Sequence, residues 1–242
     1  MGMNLASIVT ESAARDADAP AIRLGDRTLT YGELADGAAR VATLLREHGV
    51  QPGDRVGVML PNVPEFASVY YGILRAGAVV VPMNPLLKER EVAYYLDDAQ
   101  AGLVFAWPGC ADPASVGAQR AGATCVLVDA GFGPRLDAVS PMAGAVARID
   151  ADTAVLLYTS GTTGQPKGAE LTHANLRTNV EVFATDLVSV GPDDVIFGGL
   201  PLFHSFGQTC GLNAAVSVGA CLTLVPRFVA DTPCWRCWSA TG

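Results

Sequence analysis

The sequence has few basic residues for its length, and this limits the partners it can have. Its 242 residues include 16 Lys and Arg against 24 Asp and Glu, which gives a formal net charge of −8. Binding to nucleic acid takes clustered Lys and Arg on one face, so the composition argues against a nucleic-acid partner. The length is enough for a sizeable core, in one large domain or two small ones.

Long apolar runs are also missing, although 50% of the residues are hydrophobic and the mean hydropathy is +0.30. No run approaches the roughly 20 residues that a membrane-spanning helix needs. Glu11, Arg15, Asp16 and Asp18 interrupt the region where the apolar part of a signal peptide would lie. We therefore predict a cytoplasmic protein without a transmembrane segment.

Cysteine and histidine are sparse and show no convincing metal-ligand spacing. Six cysteines in a chain of this length, without a secretory signal, favour reduced thiols over a disulfide framework. We predict no metal held by the protein's own side chains. Cys234 and Cys237 form a Cys-x-x-Cys pair, and a thiol or metal site there stays open as an alternative to the explanation given below.

Two common nucleotide-binding motifs are absent. No Gly-x-Gly-x-x-Gly follows the first predicted strand, which argues against an oxidoreductase that binds a dinucleotide on an α/β sheet. A P-loop needs Gly-x-x-x-x-Gly-Lys-[Ser/Thr] with a helix that starts at the lysine. Lys167 is instead preceded by Pro166 and followed by Gly168, and proline cannot sit in that helical turn.

Strand and helix patterns alternate along the chain. Short apolar runs bounded by turn residues predict strands, and apolar residues at helical spacing predict helices between them. Thr30 with Glu33 predicts a capping box, and Thr172 predicts a later N-cap. The predicted strands are 22–24, 28–30, 54–60, 78–81, 103–106, 125–128, 154–157, 169–171, 195–197 and 221–225.

The predicted helices begin near Thr30, Pro64, Glu89, Thr172 and Ser205, and residues 131–147 are predicted to be a loop. In the helix after Thr172 the predicted apolar stripe is Leu176, Val180, Phe183 and Leu187. The alternation predicts an α/β fold with mostly parallel sheets flanked by helices.

One loop is unusually rich in phosphate-binding groups. Residues 158 to 168 read Tyr-Thr-Ser-Gly-Thr-Thr-Gly-Gln-Pro-Lys-Gly, directly after the apolar run 154–157. Glycines let the backbone approach a ligand, and successive N–H groups in such a turn form a concavity for anions. Hydroxyls and a lysine add further donors for phosphate oxygens. The loop therefore predicts a polyphosphate site, formed by Thr159, Ser160, Gly161, Thr162, Thr163, Gly164 and Lys167.

This run, followed by Leu171-Thr172-His173, resembles the signature of the AMP-binding, adenylate-forming superfamily, which includes acyl-CoA synthetases. Weaker resemblances lie at 29–34 and 74–85. The family's fold would make this chain part of a large N-terminal domain, with the first α/β subdomain largely present and the second only begun. A Pro-x-Phe-His run also matches the family, and it implies that Phe203 and His204 line the acyl and nucleotide pocket.

The resemblance implies an ATP-dependent acid–CoA ligase that uses ATP, Mg²⁺, coenzyme A and a carboxylic acid, with a fatty acid as the expected substrate. Full-length relatives are more than twice this length, and their Mg²⁺-binding acid, ribose-binding aspartate and catalytic lysine have no counterpart here. No residue of this chain is therefore assigned as catalytic with certainty, and we expect it to be inactive alone. A non-catalytic ATP-binding protein or a non-functional remnant is the alternative.

The last ten residues differ in amino-acid composition from the rest of the chain. Residues 1–232 are assigned to the partial AMP-binding domain, whereas 233–242 hold two of the three tryptophans and two of the six cysteines. Back-translated in another frame, this run can encode an amphipathic helix, so we interpret it as an out-of-frame tail. Sequencing the locus decides between this interpretation and a thiol site.

Overall fold

The computed structural model describes residues 4–159 and 165–225. Its helices alternate with short strands. The strands are β1 (Pro20–Leu24), β2 (Arg27–Thr30), β3 (Arg55–Met59), β4 (Val79–Pro82), β5 (Ala101–Ala106), β6 (Thr124–Leu127), β7 (Thr153–Thr159), β8 (Lys167–Thr172), β9 (Val195–Gly198) and β10 (Cys221–Leu224). The α-helices are α1 (Ser7–Arg15), α2 (Tyr31–Glu47), α3 (Pro64–Arg75), α4 (Glu89–Asp98), α5 (Ala111–Ala121), α6 (Phe132–Asp137), α7 (His173–Glu181) and α8 (Ala214–Val218).

The strands form two sheets that are mostly parallel, which confirms the predicted fold class. The first sheet has the order β2-β1-β10-β9, and the second has the order β6-β5-β3-β4-β7-β8. Pairing is antiparallel between β1 and β2 and between β7 and β8, and parallel at every other described pair. The two antiparallel strands, β2 and β8, lie at sheet edges.

Helices α2 and α3 join the two sheets. They pack on each other and each contacts strands, α2 those of the first sheet and α3 those of both. Their apolar stripes, such as Leu34 and Val41 on α2 and Phe66 and Ile73 on α3, are fully buried. Helices α4 and α5 cover the other face of the second sheet, in a separate cluster that includes Val104. The core therefore lies in two layers, one on each face of the second sheet.

The predicted helix boundaries are confirmed where capping residues set them. The Thr30 hydroxyl accepts from the Glu33 N–H at 3.2 Å, and the Glu33 carboxylate accepts from the Thr30 N–H at 2.8 Å. Thr172 and Asn175 exchange the same pair of bonds at the start of α7. Gly77 lies just after α3 with φ +77°, a backbone conformation that strains any residue with a side chain.

Other elements differ from the prediction. Helices α1 and α5 are not in the predicted set, and α6 lies inside the predicted loop 131–147. Helix α5 buries Ala114, Gly117 and Ala118 rather than large apolar residues, so it lacks the stripe that predicts an amphipathic helix.

The predicted stripe on the helix after Thr172 is wrong at its end. Leu176 and Val180 are buried, but the chain continues as a π-helix over Val182–Leu187. The wider turn shifts the side chains around the axis, so Ala184 is buried and Leu187 is 72% exposed.

Across the described ranges, no helix is both long and apolar enough to cross a membrane.

Gly72 allows the close contact between α2 and α3, and replacing it tests this packing. A Cβ atom at Gly72 would lie 2.5 Å from Val41 Cβ and 3.0 Å from the Ala38 carbonyl oxygen. We expect Gly72→Ala to lower the free energy of unfolding by about 1–3 kcal/mol through overpacking. Urea denaturation measures the change.

Gly133→Ala is the matched control, because Gly133 is also helical and nothing lies within 4 Å of its added Cβ. Alanine is the better helix former, so this control should be neutral or stabilising by up to ~1 kcal/mol. Equal effects at the two glycines would contradict the packing argument.

Candidate functional site

The two ends of the predicted phosphate loop are joined by strand pairing. Strands β7 and β8 form an antiparallel hairpin whose last pair is Thr159 with Lys167. Both residues are exposed. The hairpin therefore presents the Lys167 ammonium group and the Thr159 hydroxyl at the base of the loop. Five predicted site residues lie outside the described residues, namely Ser160, Gly161, Thr162, Thr163 and Gly164.

Parallel pairing places the end of β7, at Thr159, at the carboxyl edge of the second sheet. Strand β7 pairs with β4 in parallel, with Val155 opposite Val80. Strand β7 therefore ends at the same edge as β4, where Asn84 to Leu86 follow. Open α/β sheets bind ligands at this edge. The position agrees with a ligand-binding role for the loop.

Helix α4 contacts the β7–β8 hairpin beside both ends of the loop. The Tyr94 hydroxyl donates to the Pro166 carbonyl at 2.8 Å, one residue before Lys167. The Tyr158 hydroxyl donates to Asp98 Oδ2 at 2.5 Å, and the Tyr158 ring stacks on Tyr95 with centroids 4.3 Å apart. Burial and the hydrogen bond to Asp98 raise the pKa of Tyr158, so its phenol keeps the proton that it donates.

Sequence reasoning missed these contacts from α4. The sequence predicted the helix from Glu89 but gave no sign that Tyr94 and Asp98 face the hairpin, because the strand pairing that brings β7 beside β4 is non-local. The pair Tyr94-Tyr95 was the available signal, since two adjacent tyrosines cannot both belong to the apolar stripe of Val92 and Leu96 on one helix face.

A cleft of about 810 Å³ lies at the carboxyl ends of strands from both sheets. Its wall segments lie at or after the ends of the parallel strands β3, β4, β9 and β10. Leu86, Phe197 and Leu200 on its wall are each at least 49% exposed. The lining residues are Pro61, Asn62, Asn84, Pro85, Leu86, Phe197, Gly199, Leu200, Pro201, Phe203 and Val225.

Phe203 and His204 lie together after β9, but only Phe203 lines the cleft. Their ring centroids are 4.8 Å apart with the planes tilted by 39°. The His204 side chain is exposed. The backbone carbonyl of His204 accepts from the Gln208 N–H at 3.0 Å, where the next helical segment begins. Thr159 and Lys167 are not among the lining residues of this cleft. The assignment of Phe203 and His204 to an acyl and nucleotide pocket stays a prediction.

Asn62 is a buried polar residue of the cleft wall that sequence reasoning missed. Its Nδ2 donates to the carbonyls of Gly198 at 3.3 Å and Leu200 at 2.9 Å, and its Oδ1 accepts from the Leu202 N–H at 2.9 Å. Asn62 follows β3 and these partners follow or end β9. The residue therefore connects the second sheet to the segment that leads to Phe203.

His173 is a structural residue, as its position at a helix start had indicated. It is 1% exposed, and its Nδ1 accepts from the Leu5 N–H at 3.1 Å. Desolvation, helped by the charge of Arg148, lowers the pKa of His173 to about 4. The ring is therefore neutral near pH 7, in the form that can accept this bond.

The thiols and possible metal ligands within the described ranges offer no reactive site. Cys110, Cys125, Cys210 and Cys221 are free, and desolvation raises the pKa of each. Raised pKa values keep thiols protonated and poorly nucleophilic. Residues 4–159 and 165–225 contain no group of three or more His, Cys, Asp or Glu placed to hold a metal ion. The tail at 226–242, with Cys234 and Cys237, lies outside the part of the chain that the structure describes.

Comparison with known proteins decides the family. The model of the AMP-binding enzyme family matches residues 9–241. The chain belongs to the AMP-binding enzyme family. A long-chain-fatty-acid–CoA ligase of Bacillus subtilis (strain 168) is 34% identical over 93% of this chain, and a feruloyl-CoA synthase of Amycolatopsis sp is 38% identical over 86%.

The fold agrees with solved structures of AMP-binding enzymes. A benzoate CoA ligase from Burkholderia xenovorans LB400 superposes with a TM-score of 0.87 over 98% of this chain at 29% identity. The chain spans about half the length of these relatives: 46% of the Bacillus ligase, 44% of the feruloyl-CoA synthase and 47% of the benzoate ligase. The expected resemblance to acid–CoA ligases is thereby confirmed.

The Tyr94 hydrogen bond can be tested without any activity. Tyr94→Phe removes the bond to Pro166 and keeps the ring, so we expect amides of β8 near Lys167 to exchange with solvent about fivefold faster, as for a net loss of ~1 kcal/mol. Hydrogen exchange with mass spectrometry measures this change. Tyr95→Phe is the control, because it removes the neighbouring hydroxyl and leaves the stacking on Tyr158. Equal exchange in both variants would contradict the role of Tyr94.

His173 predicts a specific pH dependence of stability. Its pKa is lower in the folded chain than the ordinary 6.5, so the unfolded chain binds a proton first as pH falls. Stability is therefore present above about pH 6.5 and is lost as pH falls towards 4, with a cost of about 2 kcal/mol between pH 7 and 5. Urea midpoints at these two pH values should show that His173→Gln loses this component. His48→Gln, at an exposed helix end, should keep it, and an identical pH slope in all three proteins would refute the assignment.

Proposed function

We propose that this chain supplies the ATP-phosphate and acyl-binding part of an ATP-dependent acid–CoA ligase. One observation carries the proposal: the Thr159–Lys167 hairpin and the apolar cleft both lie at the carboxyl ends of parallel strands. A polyphosphate loop and an apolar cleft at a common edge are what a reaction between ATP and an apolar acid requires. Relatives named as CoA ligases support the reaction type.

In the proposed first step, the carboxylate oxygen of the acid attacks the α-phosphorus of ATP. The bond between the α-phosphorus and the bridging oxygen breaks, and pyrophosphate leaves with its electron pair. In the second step, the coenzyme A thiol attacks the acyl carbon, loses its proton and displaces AMP. The products are an acyl-CoA thioester, AMP and pyrophosphate.

The phosphate loop acts on the charge that develops in the first step. Negative charge accumulates on the departing pyrophosphate, and preorganised donors stabilise it best where water is excluded. Lys167 contributes an ammonium group, Thr159 a hydroxyl, and Ser160, Gly161, Thr162, Thr163 and Gly164 the rest of the proposed set of donors. The contacts of α4 with Tyr158 and Pro166 keep the two ends of the loop in place.

The acyl group is proposed to occupy the cleft beside Phe203. Its lining is mainly proline, leucine, phenylalanine and valine side chains, and its volume of about 810 Å³ is in the range of ligand pockets. An apolar wall favours a hydrocarbon or aromatic acid over a small polar one. We propose a fatty acid as the substrate, with His204 at the carboxylate end of the site.

The described residues do not form a protein site for Mg²⁺. Mg²⁺ commonly binds through substrate phosphates and water with only one or two carboxylates, so its use here follows from the family and not from a site in this part of the chain. No step above depends on it. Cytoplasmic placement likewise stays a prediction from composition.

The proposal is tested at Lys167 with Lys88 as control. The chain has only these two lysines, and both are exposed. We expect ATP to protect Lys167, and not Lys88, from reductive methylation, because phosphate oxygens would cover its ammonium group. Mass spectrometry of the two peptides gives the result without any turnover.

Catalysis is tested by acid-dependent release of pyrophosphate from ATP with a panel of fatty, aromatic and short carboxylic acids. If the wild-type chain releases pyrophosphate, we expect release to fall by about 100-fold or more in Lys167→Ala, as for loss of one transition-state donor, and to be unchanged in Lys88→Ala. Protection of Lys167 with no release would favour the non-catalytic ATP-binding alternative. The absence of both protection and release would contradict ATP binding by the loop.

A further inference from the structure

We propose that Asn62 is a positioning residue that fixes the cleft wall leading to Phe203 and His204. The proposal rests on the proposed function in so far as that wall belongs to the acyl site. Asn62 itself touches the wall's backbone, and its effect on a bound acid acts through that backbone.

The three hydrogen bonds of Asn62 satisfy the segment at both ends. The amide nitrogen donates to the carbonyls of Gly198 and Leu200, and the amide oxygen accepts from the Leu202 N–H. Asn62 is 6% exposed, so water does not compete freely for these groups. A carboxylate of the same shape could keep the third bond, but it would face two carbonyl oxygens with a negative charge.

Asn62 is itself rigidly placed. It lies between the end of β3 at Met59 and the start of α3 at Pro64. Next to it, the Val63 N–H donates to the Pro61 carbonyl at 2.9 Å, and the Phe66 N–H donates to the Val63 carbonyl at 3.0 Å. The side chain therefore transmits the position of the β3–α3 connection to the segment at 198–202, which belongs to a different sheet.

The segment at 198–202 also packs closely against a glycine. A Cβ atom at Gly207 would overlap the Pro201 carbonyl and would lie 3.2 Å from the Leu200 carbonyl oxygen. Gly207 is in the helical segment that follows His204 and is buried. The wall thus contacts both Asn62 and Gly207, and loss of the Asn62 bonds removes the side-chain hydrogen bonds that fix its backbone.

Asn4 provides a closely matched control. It is also 6% exposed, its Nδ2 also donates to two backbone carbonyls (Leu74 and Val146), and its Oδ1 also accepts one backbone N–H, that of Ala6. It does not line the cleft. Asn62→Asp and Asn4→Asp therefore make the same chemical change in the same degree of burial, at two different places.

The first measurement is amide hydrogen exchange of the peptide spanning 198–204. We expect Asn62→Asp to speed its exchange by about tenfold or more, with β3 and β5 unchanged, because two hydrogen bonds from the side chain to the carbonyls of this segment are lost. Asn4→Asp should leave this peptide at the wild-type rate. Asn62→Ala, which removes all three bonds without adding charge, gives the same readout if the aspartate variant does not fold. Wild-type exchange at 198–204 in a folded Asn62 variant, or faster exchange throughout the core, would overturn the proposal.

The second measurement separates this inference from the proposed function. If the wild-type chain releases pyrophosphate with an acid, Asn62→Asp should raise KM for the acid about tenfold while KM for ATP is unchanged, and Asn4→Asp should alter neither. An unchanged acid KM, together with wild-type exchange at 198–204, would refute the positioning role. Local exchange that rises in a chain without any pyrophosphate release would support Asn62 as the positioning residue and would contradict only catalysis by this chain without further parts of the enzyme.

Discussion

The parallel direction of the central strands determines where the described candidate site residues lie. Parallel strands present their carboxyl ends at one edge. In this chain residues at or after the ends of β3, β4, β9 and β10 line the cleft there, and β7 ends at the same edge as β4. The Asn62 turn and the Phe203 segment come from distant parts of the sequence, yet the two sheets bring them to the same cleft. Because sheet pairing supplies this convergence, the loops can differ in sequence without loss of the fold.

Buried polar side chains also join helix α3 to the helical segment after His204. Tyr71 donates to Asn213 Oδ1 at 2.8 Å, and Asn213 Nδ2 donates to the Tyr70 hydroxyl at 3.1 Å. This network connects α3 to the helical segment after His204, as Asn62 connects the preceding turn to the segment before it. A hydrogen-bonded polar network in a dry interior specifies one arrangement more sharply than apolar contact alone, because an unpaired group there is costly.

Local patterns in the sequence predicted most of the elements and the fold class. Thr30 with Glu33, Thr172, and the glycine after α3 mark helix ends by hydrogen bonds or backbone conformation that involve only near neighbours. The prediction failed where packing depends on small residues or distant partners. Alanine-rich α5 has no apolar stripe, the π-helix at 182–187 replaces Leu187 by Ala184 in the core, and the roles of Asn62 and Tyr94 depend on strands that are far apart in sequence. Of the predicted site, the structure describes Thr159, Lys167, Phe203 and His204 but not Ser160 to Gly164, and the binding roles of all these residues stay predictions.

The strand order of the first sheet has a consequence for the order of folding during synthesis. Strand β1 pairs with β10, so Ile22 lies opposite Leu222, about two hundred residues further along the chain. The four strands β3 to β6 of the second sheet need only residues 55–127. On the ribosome the second sheet can therefore begin to assemble from neighbouring segments while the β1–β2 hairpin still exposes an unpaired edge. That edge is covered only after β10 emerges, because the β1–β10 contact joins distant parts of the sequence. The unpaired edge is therefore open to aggregation through most of the chain's synthesis.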